Sequence, residues 1–394
     1  MLKEEIKNVS RFEYADGLSR EMLEAALSEA IKIIEKSIPG YNNKFPGDAT
    51  INNYYPTVDN NDGMAHWTTG FWTGELWLAY EFTKKDIFLK AAKAHIDSFY
   101  ERIEKKQGVN HHDMGFLYIP SCVAAYKLTN DEKAKDAALM AAEHLITRYN
   151  VNGKFIQAWG NMGADEESRL IIDCMLNIPL LYWASEVSGD KRFFDIAYNH
   201  FNTAMKNIFR EDGSTYHTFF FNQNTGEPLR GVTHQGYSDD SCWARGQAWG
   251  LYGIPLTNKY RVTKEAEEVY DAAFNFFCNR LPEDFIPYWD MIFTEGDMPR
   301  DSSSAAIAVC GLLEMIKYIE DENTKKLYKS VADSMMRSLI ENYAVGVNDE
   351  CNGLLYHSTY HYKGNLGVDA CNIWGDYFYM EALTRYLKDW ELYW

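Results

Sequence analysis

Two aspartates are the strongest candidates for chemistry in this sequence. Asp173 follows three apolar residues, Leu170-Ile171-Ile172, and Asp113 opens a helical segment in His111-His112-Asp113-Met114. An aspartate at a helix start is often an ordinary cap, but a carboxylate among apolar residues costs free energy unless it has a function. Burial also raises a carboxylate pKa, which makes the group a usable acid near neutral pH. Paired carboxylates are the working groups of glycoside hydrolysis.

Aromatic and polar residues recur at one position of a repeated helical pattern. Six segments end in an aromatic residue, and the recurring position lies about three to four turns earlier, at roughly 3.6 residues per turn. Equal offsets along parallel helices place side chains at one level, so the pattern predicts a ring at one end of a helical barrel. Its members are Trp67, Asp113, Asp173, Arg245 with Gln247, Ser303 with Ser304, and Asn372 with Trp374.

The helices that must carry this ring are predicted from apolar spacing at i, i+3, i+4 and i+7. Helices rich in Gly, Ala and aromatic residues alternate with amphipathic, charged ones. Because helices that are apolar all round are buried, this alternation predicts an inner and an outer ring of six, an all-α (α/α)6 barrel. One catalytic domain over residues 1–394 is expected. The predicted helices span 19–37, 68–83, 86–106, 113–129, 131–149, 167–187, 190–208, 242–260, 263–280, 301–319, 323–342 and 372–390.

Short β-hairpins are predicted at one mouth of the barrel. Residues 214–221 alternate as a hairpin arm and are followed by the turn Asn224-Thr225-Gly226, and residues 354–357 form a second arm. The Gly-, Asn- and Pro-rich stretch 38–66 is expected to wrap the barrel as loop.

The formal net charge of −18 argues against nucleic acid, since phosphate binding needs basic patches, and against anionic membrane surfaces. A local basic and polar cluster can still hold one carboxylate inside an acidic protein. No apolar run is long enough to cross a bilayer, and no secretory signal is expected at the N-terminus. Seven scattered cysteines indicate buried thiols in a reducing compartment, so a cytoplasmic location is expected. The sequence leaves the oligomeric state open.

Neither a metal nor a cofactor is expected. His111, His112 and Asp113 are adjacent, and adjacent residues of a helix do not face one site. The sequence also lacks HExxH, CxxC and the glycine patterns of phosphate and dinucleotide sites.

Other polar and aromatic residues are candidates for holding a sugar. His217 and His234-Gln235 lie near the predicted hairpins, and with Arg245 they would form a carboxylate clamp. Arg245 and Trp249 are four residues apart and therefore share one helix face. Trp67 and Trp159, in turn-rich segments, are the candidates for stacking on a sugar ring.

At these residues the chain resembles the unsaturated glucuronyl hydrolases of glycoside hydrolase family 88. The resemblance runs over nearly the whole length. Each motif alone is modestly specific, but seven in the same order are highly specific. The motifs run from His66 to Gly74, His112 to Phe116, Ser168 to Asp173, His234 to Gly236, Ser241 to Trp249, Asp301 to Ala305 and Asn372 to Tyr377.

The resemblance implies an (α/α)6 barrel and a substrate with a 4,5-unsaturated uronic acid at its non-reducing end, as lyases produce from glycosaminoglycans. It implies that Asp173 is the general acid/base and that Asp113 binds the ring hydroxyls. Asp173 would protonate C4 of the vinyl ether and water would add at C5, after which the hemiketal opens and expels the attached sugar. The implied substrate contacts are Trp67, His112, Trp159, His217, Gln235, Arg245 and Trp249.

One stretch departs from the family pattern. In the family that the chain resembles, streptococcal members that prefer sulfated chondroitin fragments have the pattern Ser-x-x-Ser-x-Lys directly before Gly-Val-Asp. Residues 361–366, His-Tyr-Lys-Gly-Asn-Leu, stand there in this chain, before Gly367-Val368-Asp369. Unsulfated substrates are therefore expected to be turned over at least as well as sulfated ones.

Three other functions remain open at this point. An unsaturated rhamnogalacturonyl hydrolase would share the fold and the chemistry. A sugar epimerase of similar barrel shape would use catalytic histidines instead of Asp173. A non-catalytic carbohydrate-binding toroid would gain little from a carboxylate buried among apolar residues.

Overall fold

The computed structural model describes residues 1–12 and 18–394, and over these ranges helical segments alternate between an outer and an inner ring of six. The first three outer–inner pairs are α1 (Arg20–Ser37) with α2 (Thr69–Thr83), α3 (Asp86–Glu104) with α4 (Met114–Tyr118) and α5 (Ala124–Thr129), and α6 (Glu132–Ile146) with α7 (Cys174–Asn177) and α8 (Pro179–Ser188). The others are α9 (Lys191–Asn207) with α10 (Ala244–Asn258), α11 (Lys264–Asn279) with α12 (Ser302–Met315), and α13 (Glu322–Ser338) with α14 (Ile373–Leu387). Because α14 packs against α2, the ring closes, and the predicted (α/α)6 barrel is confirmed.

Short irregular turns adjust these helices. A π-helical turn, Ile119–Val123, joins α4 to α5, and a second one, Leu339–Tyr343, follows α13. The 3-10 turns are Val9–Phe12, Ile38–Gly40, Asp165–Glu167 and Ile316–Tyr318.

The two rings differ in burial and in how their helices begin. Every residue of α10 is buried, whereas α1 buries only a stripe that includes Leu23 and Leu27. Most outer helices have side-chain caps, such as Asp131 for α6. The inner helices start without one, so their free N–H groups and positive dipole ends lie at the mouth where they begin. Among the described residues, no helix is long and apolar enough to cross a membrane.

Short antiparallel strands lie at the mouth and along the sides of the barrel. β1 (Phe45–Pro46) pairs with β2 (Thr57–Val58), and β3 (Tyr149–Asn150) pairs with β4 (Phe155–Ile156). β5 (Arg169–Ile171), β6 (Thr218–Phe221) and β7 (Pro228–Val232) form a three-stranded sheet in that order. β8 (Ser358–His361) and β9 (Leu366–Ala370) form a hairpin.

The hairpin predictions are confirmed in part. The arm predicted at 214–221 contains β6, which starts only at Thr218. The arm predicted at 354–357 is wrong, because the strand begins at Ser358. Leu354 and Leu355 are both buried, and the N–H of Leu355 donates to the Asp376 carboxylate at 2.9 Å rather than to a strand. The stretch 38–66, predicted as loop, contains the two-residue strands β1 and β2, which are too short to leave a periodic signal.

The continuous helix predicted over 167–187 is wrong. Residues 169–171 form β5 instead, which pairs with β6, and the β-branched Ile171 suits a strand. Asp173 lies in the turn that follows, directly before α7. Pro179 starts a new helix, α8, since proline is tolerated in a first turn but interrupts a helix interior. Asp173 is therefore held between a strand and a helix.

Buried charges tie the opposite ends of the inner helices together. Arg385 of α14 lies 2.7 Å from Glu314 of α12 and 3.0 Å from Glu381. The indole N–H of Trp394 donates to Glu381 at 2.7 Å. Removing one partner of such a buried set leaves an uncompensated charge, so this network fixes α12 and α14 relative to the end of the chain.

Candidate active site

A cavity of about 340 Å³ opens at the mouth where the inner helices begin. All nine residues predicted for the site line it, although they come from distant parts of the sequence. They are Trp67, His112, Asp113, Trp159, Asp173, His217, Gln235, Arg245 and Trp249. His234, which was also a clamp candidate, lines the cavity too, and the structure adds Ala65, His111, Ile171, Trp243, Tyr360, His361 and Leu366 to the wall.

The two aspartates meet because two inner helices approach closely at their first turns. A Cβ placed on Gly115 would lie only 2.4 Å from the Cα of Asn177, so only glycine permits this contact. The amide of Asn177 then bridges the helices: its oxygen accepts from the N–H of Phe116 at 2.9 Å, and its Nδ2 donates to Asp113 at 3.4 Å. Asn177 also donates to the carbonyl of Asp173 at 3.2 Å. The sequence analysis did not identify this bridging role of Asn177.

His112 stands between the two carboxylates. Its Nε2 lies 3.2 Å from Oδ1 of Asp173 and 3.4 Å from Oδ1 of Asp113. Burial alone would lower the pKa of His112, but the two carboxylates outweigh burial and raise it. The backbone N–H of His112 donates to the carbonyl of Ala158 at 2.7 Å, which fixes the ring between the two acids.

The two aspartates have opposite pKa shifts. Burial raises the pKa of Asp173, the nearby charge of Asp113 adds to this, and His112 offsets only part of it. Burial also acts on Asp113, but His112 and His111 outweigh it and lower the pKa of that carboxyl. Of the two carboxyls, Asp113 is therefore the one whose surroundings favour the ionised form, and Asp173 is the one whose surroundings favour the protonated form. Carboxyls whose environments push their pKa values apart are suited to different roles.

Asp113 is not an ordinary helix cap. It precedes α4, but its side chain makes no capping hydrogen bond. Its Oδ2 lies 2.9 Å from Nδ1 of His111, whose Nε2 lies 2.9 Å from the carbonyl of Gly108. His111 therefore orients Asp113, a role that its position beside His112 did not reveal.

The β5–β6–β7 sheet holds a neutral histidine beside Asp173. The carbonyl of His217 accepts from the N–H of Ile172 at 3.1 Å, one residue before Asp173. Nδ1 of His217 accepts from the N–H groups of His234 and Gln235, both at 3.0 Å. Burial holds the pKa of His217 well below its usual range. The proton of the neutral ring is therefore on Nε2, where it is available as a donor.

Arg245 is held firmly inside the wall. It lies 3.0 Å from the buried carboxylate of Asp301 and donates to the carbonyls of Thr359 and Tyr360 at 2.6 and 2.8 Å. Its guanidinium sits between the rings of Trp243 and Trp374, 4.4 and 4.9 Å from their centroids. The predicted clamp residues therefore line one cavity, but the charge of Arg245 is partly balanced by Asp301.

The three predicted tryptophans have different surroundings. Trp67 stacks on Trp374 with centroids 5.1 Å apart, and its indole N–H donates to the hydroxyl of Tyr360 at 3.0 Å. Trp159 lies under the guanidinium of Arg169, 4.9 Å from the ring centroid. Trp249 is only 1% exposed, so most of its ring belongs to the core and only an edge reaches the cavity. Trp67 and Trp159 are thus the better placed rings for a sugar.

Part of the predicted ring supports the cavity from behind. Gln247 points away and donates to the carbonyls of Gly213 and Ala273 at 2.9 and 3.0 Å. Ser303 accepts from the indole N–H of Trp374 at 3.0 Å. The prediction that every ring member faces the site is wrong, because helical neighbours point in different directions. The members that do not line the cavity are Gln247, Ser303, Ser304, Asn372 and Trp374.

The β8–β9 hairpin, whose residues 361–366 were singled out in the sequence, supplies one wall of the cavity. Tyr360 and His361 end β8, and Leu366, which pairs with His361, starts β9. The carbonyl of Tyr360 accepts from Gln235 at 3.1 Å as well as from Arg245. The alternation of residues 358–361 was the available signal, and it was assigned a few residues too early.

Comparison with known proteins identifies this arrangement. The family model described as Glycosyl Hydrolase Family 88 matches residues 41–390. The chain belongs to Glycosyl Hydrolase Family 88. It is therefore a glycoside hydrolase.

Relatives in family 88 match the chain from end to end. It is 48% identical over 393 residues to the unsaturated chondroitin disaccharide hydrolase of Streptococcus pneumoniae. That alignment covers 99% of this chain and 98% of the relative. The crystal structure of unsaturated glucuronyl hydrolase from Streptococcus agalactiae has a TM-score of 0.96 at 47% identity, with 99% and 98% of the two chains covered. A mutant of that enzyme complexed with dGlcA-GalNAc6S has a TM-score of 0.88 at 44% identity and the same coverage.

A divalent metal is the competing occupant of the acidic cluster in this family 88 enzyme. Within the described ranges, His112, Asp113 and Asp173 offer ligand atoms that lie within 4.8 Å of one another. The argument that adjacent residues cannot share a site was wrong here, because His112 and Asp113 precede α4 rather than lying inside it. The two carboxylates raise the pKa of His112, so a metal ion would have to compete with a proton for that ring. The arrangement fits a proton between two carboxylates, and the absence of a metal stays a prediction.

We predict that the pH dependence of hydrolysis by this family 88 enzyme reports the protonation of Asp173. The protonated form is the acid, so kcat/KM falls as pH rises through its pKa. His112→Gln removes the positive charge that lowers this pKa, so the basic limb should move to higher pH. Asp113→Asn removes the negative charge that raises it, so the limb should move to lower pH. Profiles of kcat/KM for the two variants and the wild type test this, and equal shifts in one direction would contradict it.

Proposed function

We propose that this enzyme removes the 4,5-unsaturated uronic acid from the non-reducing end of oligosaccharides that lyases release from glycosaminoglycans. The observation that carries the proposal is Asp173, a partly buried carboxyl with a raised pKa beside Asp113 and His112 at the wall of an open cavity. The relatives named above support it, because the S. agalactiae enzyme was complexed with an unsaturated uronyl disaccharide, dGlcA-GalNAc6S.

The proposed reaction is hydration of the vinyl ether. Asp173, protonated in the resting site, gives its proton to C4, and the positive charge at C5 is shared with the ring oxygen. The carboxylate that remains then takes a proton from water as the water adds at C5. The resulting hemiketal opens and expels the attached sugar. One carboxyl can serve as acid and then as base because the first step leaves it ionised.

The neighbouring residues have distinct proposed roles in this reaction. Asp113, held ionised by His111 and His112, accepts hydrogen bonds from the ring hydroxyls. His112 reduces the repulsion between the two carboxylates and stabilises Asp173 once its proton has gone. The remaining contacts are assigned to Trp67 and Trp159 as stacking surfaces, to His217, Gln235 and Arg245 as polar groups around the substrate, and to Trp249 as an edge of the floor.

The competing functions are less well supported. An unsaturated rhamnogalacturonyl hydrolase would use the same chemistry, but the relatives at 48% and 38% identity are chondroitin disaccharide and glucuronyl hydrolases. An epimerase is disfavoured because the chain belongs to a glycoside hydrolase family. A toroid that only binds sugar would not need Asp173 among apolar residues. We further propose that residues 1–394 form one catalytic domain that works in the cytoplasm.

Asp173→Asn should abolish turnover and leave folding intact. The amide has the same shape but can neither give nor take the proton, so the rate should fall by about 10²–10⁴-fold or more. The measurement is the loss of ultraviolet absorbance of the C4=C5 bond with lyase-made disaccharides. Asp369→Asn is the matched control, because that side chain is 62% exposed on the adjacent hairpin, and it should keep wild-type activity. Turnover by the Asp173 variant at the wild-type rate would disprove the role.

Hydrolysis should not depend on a metal ion. The enzyme is dialysed against EDTA, assayed, and then assayed again after adding back Mg²⁺, Ca²⁺, Mn²⁺ or Zn²⁺. The rate should stay constant, because the imidazolium of His112 already balances the charge of Asp113. Loss of activity that one of these ions restores would instead make His112, Asp113 and Asp173 metal ligands.

Unsulfated disaccharides should be turned over at least as well as those with a 6-sulfate. His361, Gly364 and Leu366 occupy the positions of Ser, Ser and Lys in the streptococcal pattern. Burial and the charge of Arg245 lower the pKa of His361, so it offers no full positive charge. Hydrogen bonds to a charged group contribute roughly 1.5–3 kcal/mol each, and a sulfate here would lack them.

The test is kcat/KM on two disaccharides that differ only in that sulfate. Leu366→Lys is the matched variant, since it restores the missing cation at the cavity wall, and it should raise the relative rate on the sulfated member. A tenfold preference of the wild type for the sulfated member, about 1.4 kcal/mol, would show that another group such as Lys363 holds the sulfate.

A further inference from the structure

Two thiols face each other outside the cavity. Sγ of Cys351 lies 3.6 Å from Sγ of Cys371, and the two residues are 20 apart in sequence. The contact is held by a close approach of backbone, because a Cβ on Gly353 would lie 2.4 Å from Cβ of Cys371. The chain therefore turns sharply after Cys351 and brings its sulfur onto Cys371. The proposed hydrolysis uses neither residue.

The two thiols are not equivalent. Cys351 is 8% exposed and lines a surface cavity of about 400 Å³ with Tyr54 and Asn352, whereas Cys371 is 1% exposed. The N–H of Gly353 points at Sγ of Cys351 from 3.4 Å, as a donor that favours the thiolate. A hydrogen bond from Cys371 lowers the pKa of Cys351 to about 7, and the same contact raises the pKa of Cys371. Reactivity is thus concentrated on the more accessible sulfur.

We infer that Cys351 and Cys371 form a peroxide-reactive pair, in which Cys351 is the attacking thiolate and Cys371 the resolving thiol. Sγ of Cys351 attacks one oxygen of hydrogen peroxide, the O–O bond breaks, and hydroxide leaves and is protonated to water. The product is a sulfenic acid on Cys351. Sγ of Cys371 then loses its proton and attacks that sulfur, and the S–O bond breaks to release a second water. In total, two thiols and one peroxide give one disulfide and two waters.

The disulfide would cross-link the base of the hairpin that forms one wall of the site. The segment 351–371 contains the whole β8–β9 hairpin, including Tyr360, His361 and Leu366. Closing the bond requires the sulfurs to approach from 3.6 Å to about 2.05 Å. Cys371 is followed by Asn372 and α14, so the approach ties the hairpin to the start of an inner helix. Because the cross-link restricts the unfolded chain, the oxidised protein should melt a few degrees above the reduced one.

The experiment exposes the reduced full-length protein to hydrogen peroxide and follows intact mass, free thiols and peptide maps. The wild type should lose two hydrogens and two of its seven alkylatable cysteines, with one cross-linked peptide pair that dithiothreitol reverses. Cys371→Ser should stop at the sulfenic acid of Cys351, which a dimedone probe captures. Cys351→Ser should react far more slowly, at least tenfold, at position 371.

Several outcomes would overturn the inference. One is a wild type that keeps all seven thiols at peroxide concentrations that label Cys351 in the Cys371→Ser variant. Others are a disulfide that involves another cysteine, or equal reactivity of Cys371 in the Cys351→Ser variant. If the cross-linked protein melts at or below the temperature of the reduced protein, the disulfide does not stabilise the base of the β8–β9 hairpin, and that part of the inference is overturned. The wild-type measurements need no variant to fold, and none of these readouts depends on the proposed hydrolase activity.

Discussion

The structure of the site depends on one constraint: two partly buried carboxylates must lie close together despite their mutual repulsion. His112 lies between Asp113 and Asp173, where the raised pKa of His112 favours a positive charge and the raised pKa of Asp173 favours a neutral acid. The backbone serves the same end. Gly115 lets two inner helices touch, and Asn177 donates to Asp113 while it fixes their first turns. The uncapped helix ends at this mouth add positive potential where the negative charge is held.

The opposite wall follows a different rule, in which a cation is fixed by aromatic rings. Trp67, Trp374, Arg245, Trp243 and His217 succeed one another at ring or guanidinium separations of 4.3–5.1 Å. Asp301 and two hairpin carbonyls occupy the guanidinium donors. This stack joins the start of α2 to the start of β6 along the cavity wall.

Sequence patterns predicted the fold and the cavity to different depths. The alternation of apolar and amphipathic helices was sufficient to predict the barrel, because a helix that is buried on all sides consists mostly of apolar and small residues. The apolar neighbours of Asp173 singled it out and the structure places it at the cavity, yet its predicted helix was wrong, since Ile171 and Ile172 suit either element until their partner strand is known. Asn177 and Tyr360 were missed because their positions depend on contacts between segments far apart in the sequence. Gln247 was misplaced because a matching offset gives the level of a side chain but not its direction.

The cavity is assembled from two sources that are independent in the chain. His112, Asp173 and His217 lie just before α4, α7 and β6, and these segments are bonded to one another through Ile172, Asn177 and Ala158. The β8–β9 hairpin meets the neighbouring wall mainly through backbone carbonyls, which accept from Gln235 and Arg245. Side-chain substitutions at positions such as 364 and 366 therefore leave those hydrogen bonds in place. Because of this division, related barrels can adapt to new polysaccharides through substitutions in one exposed hairpin.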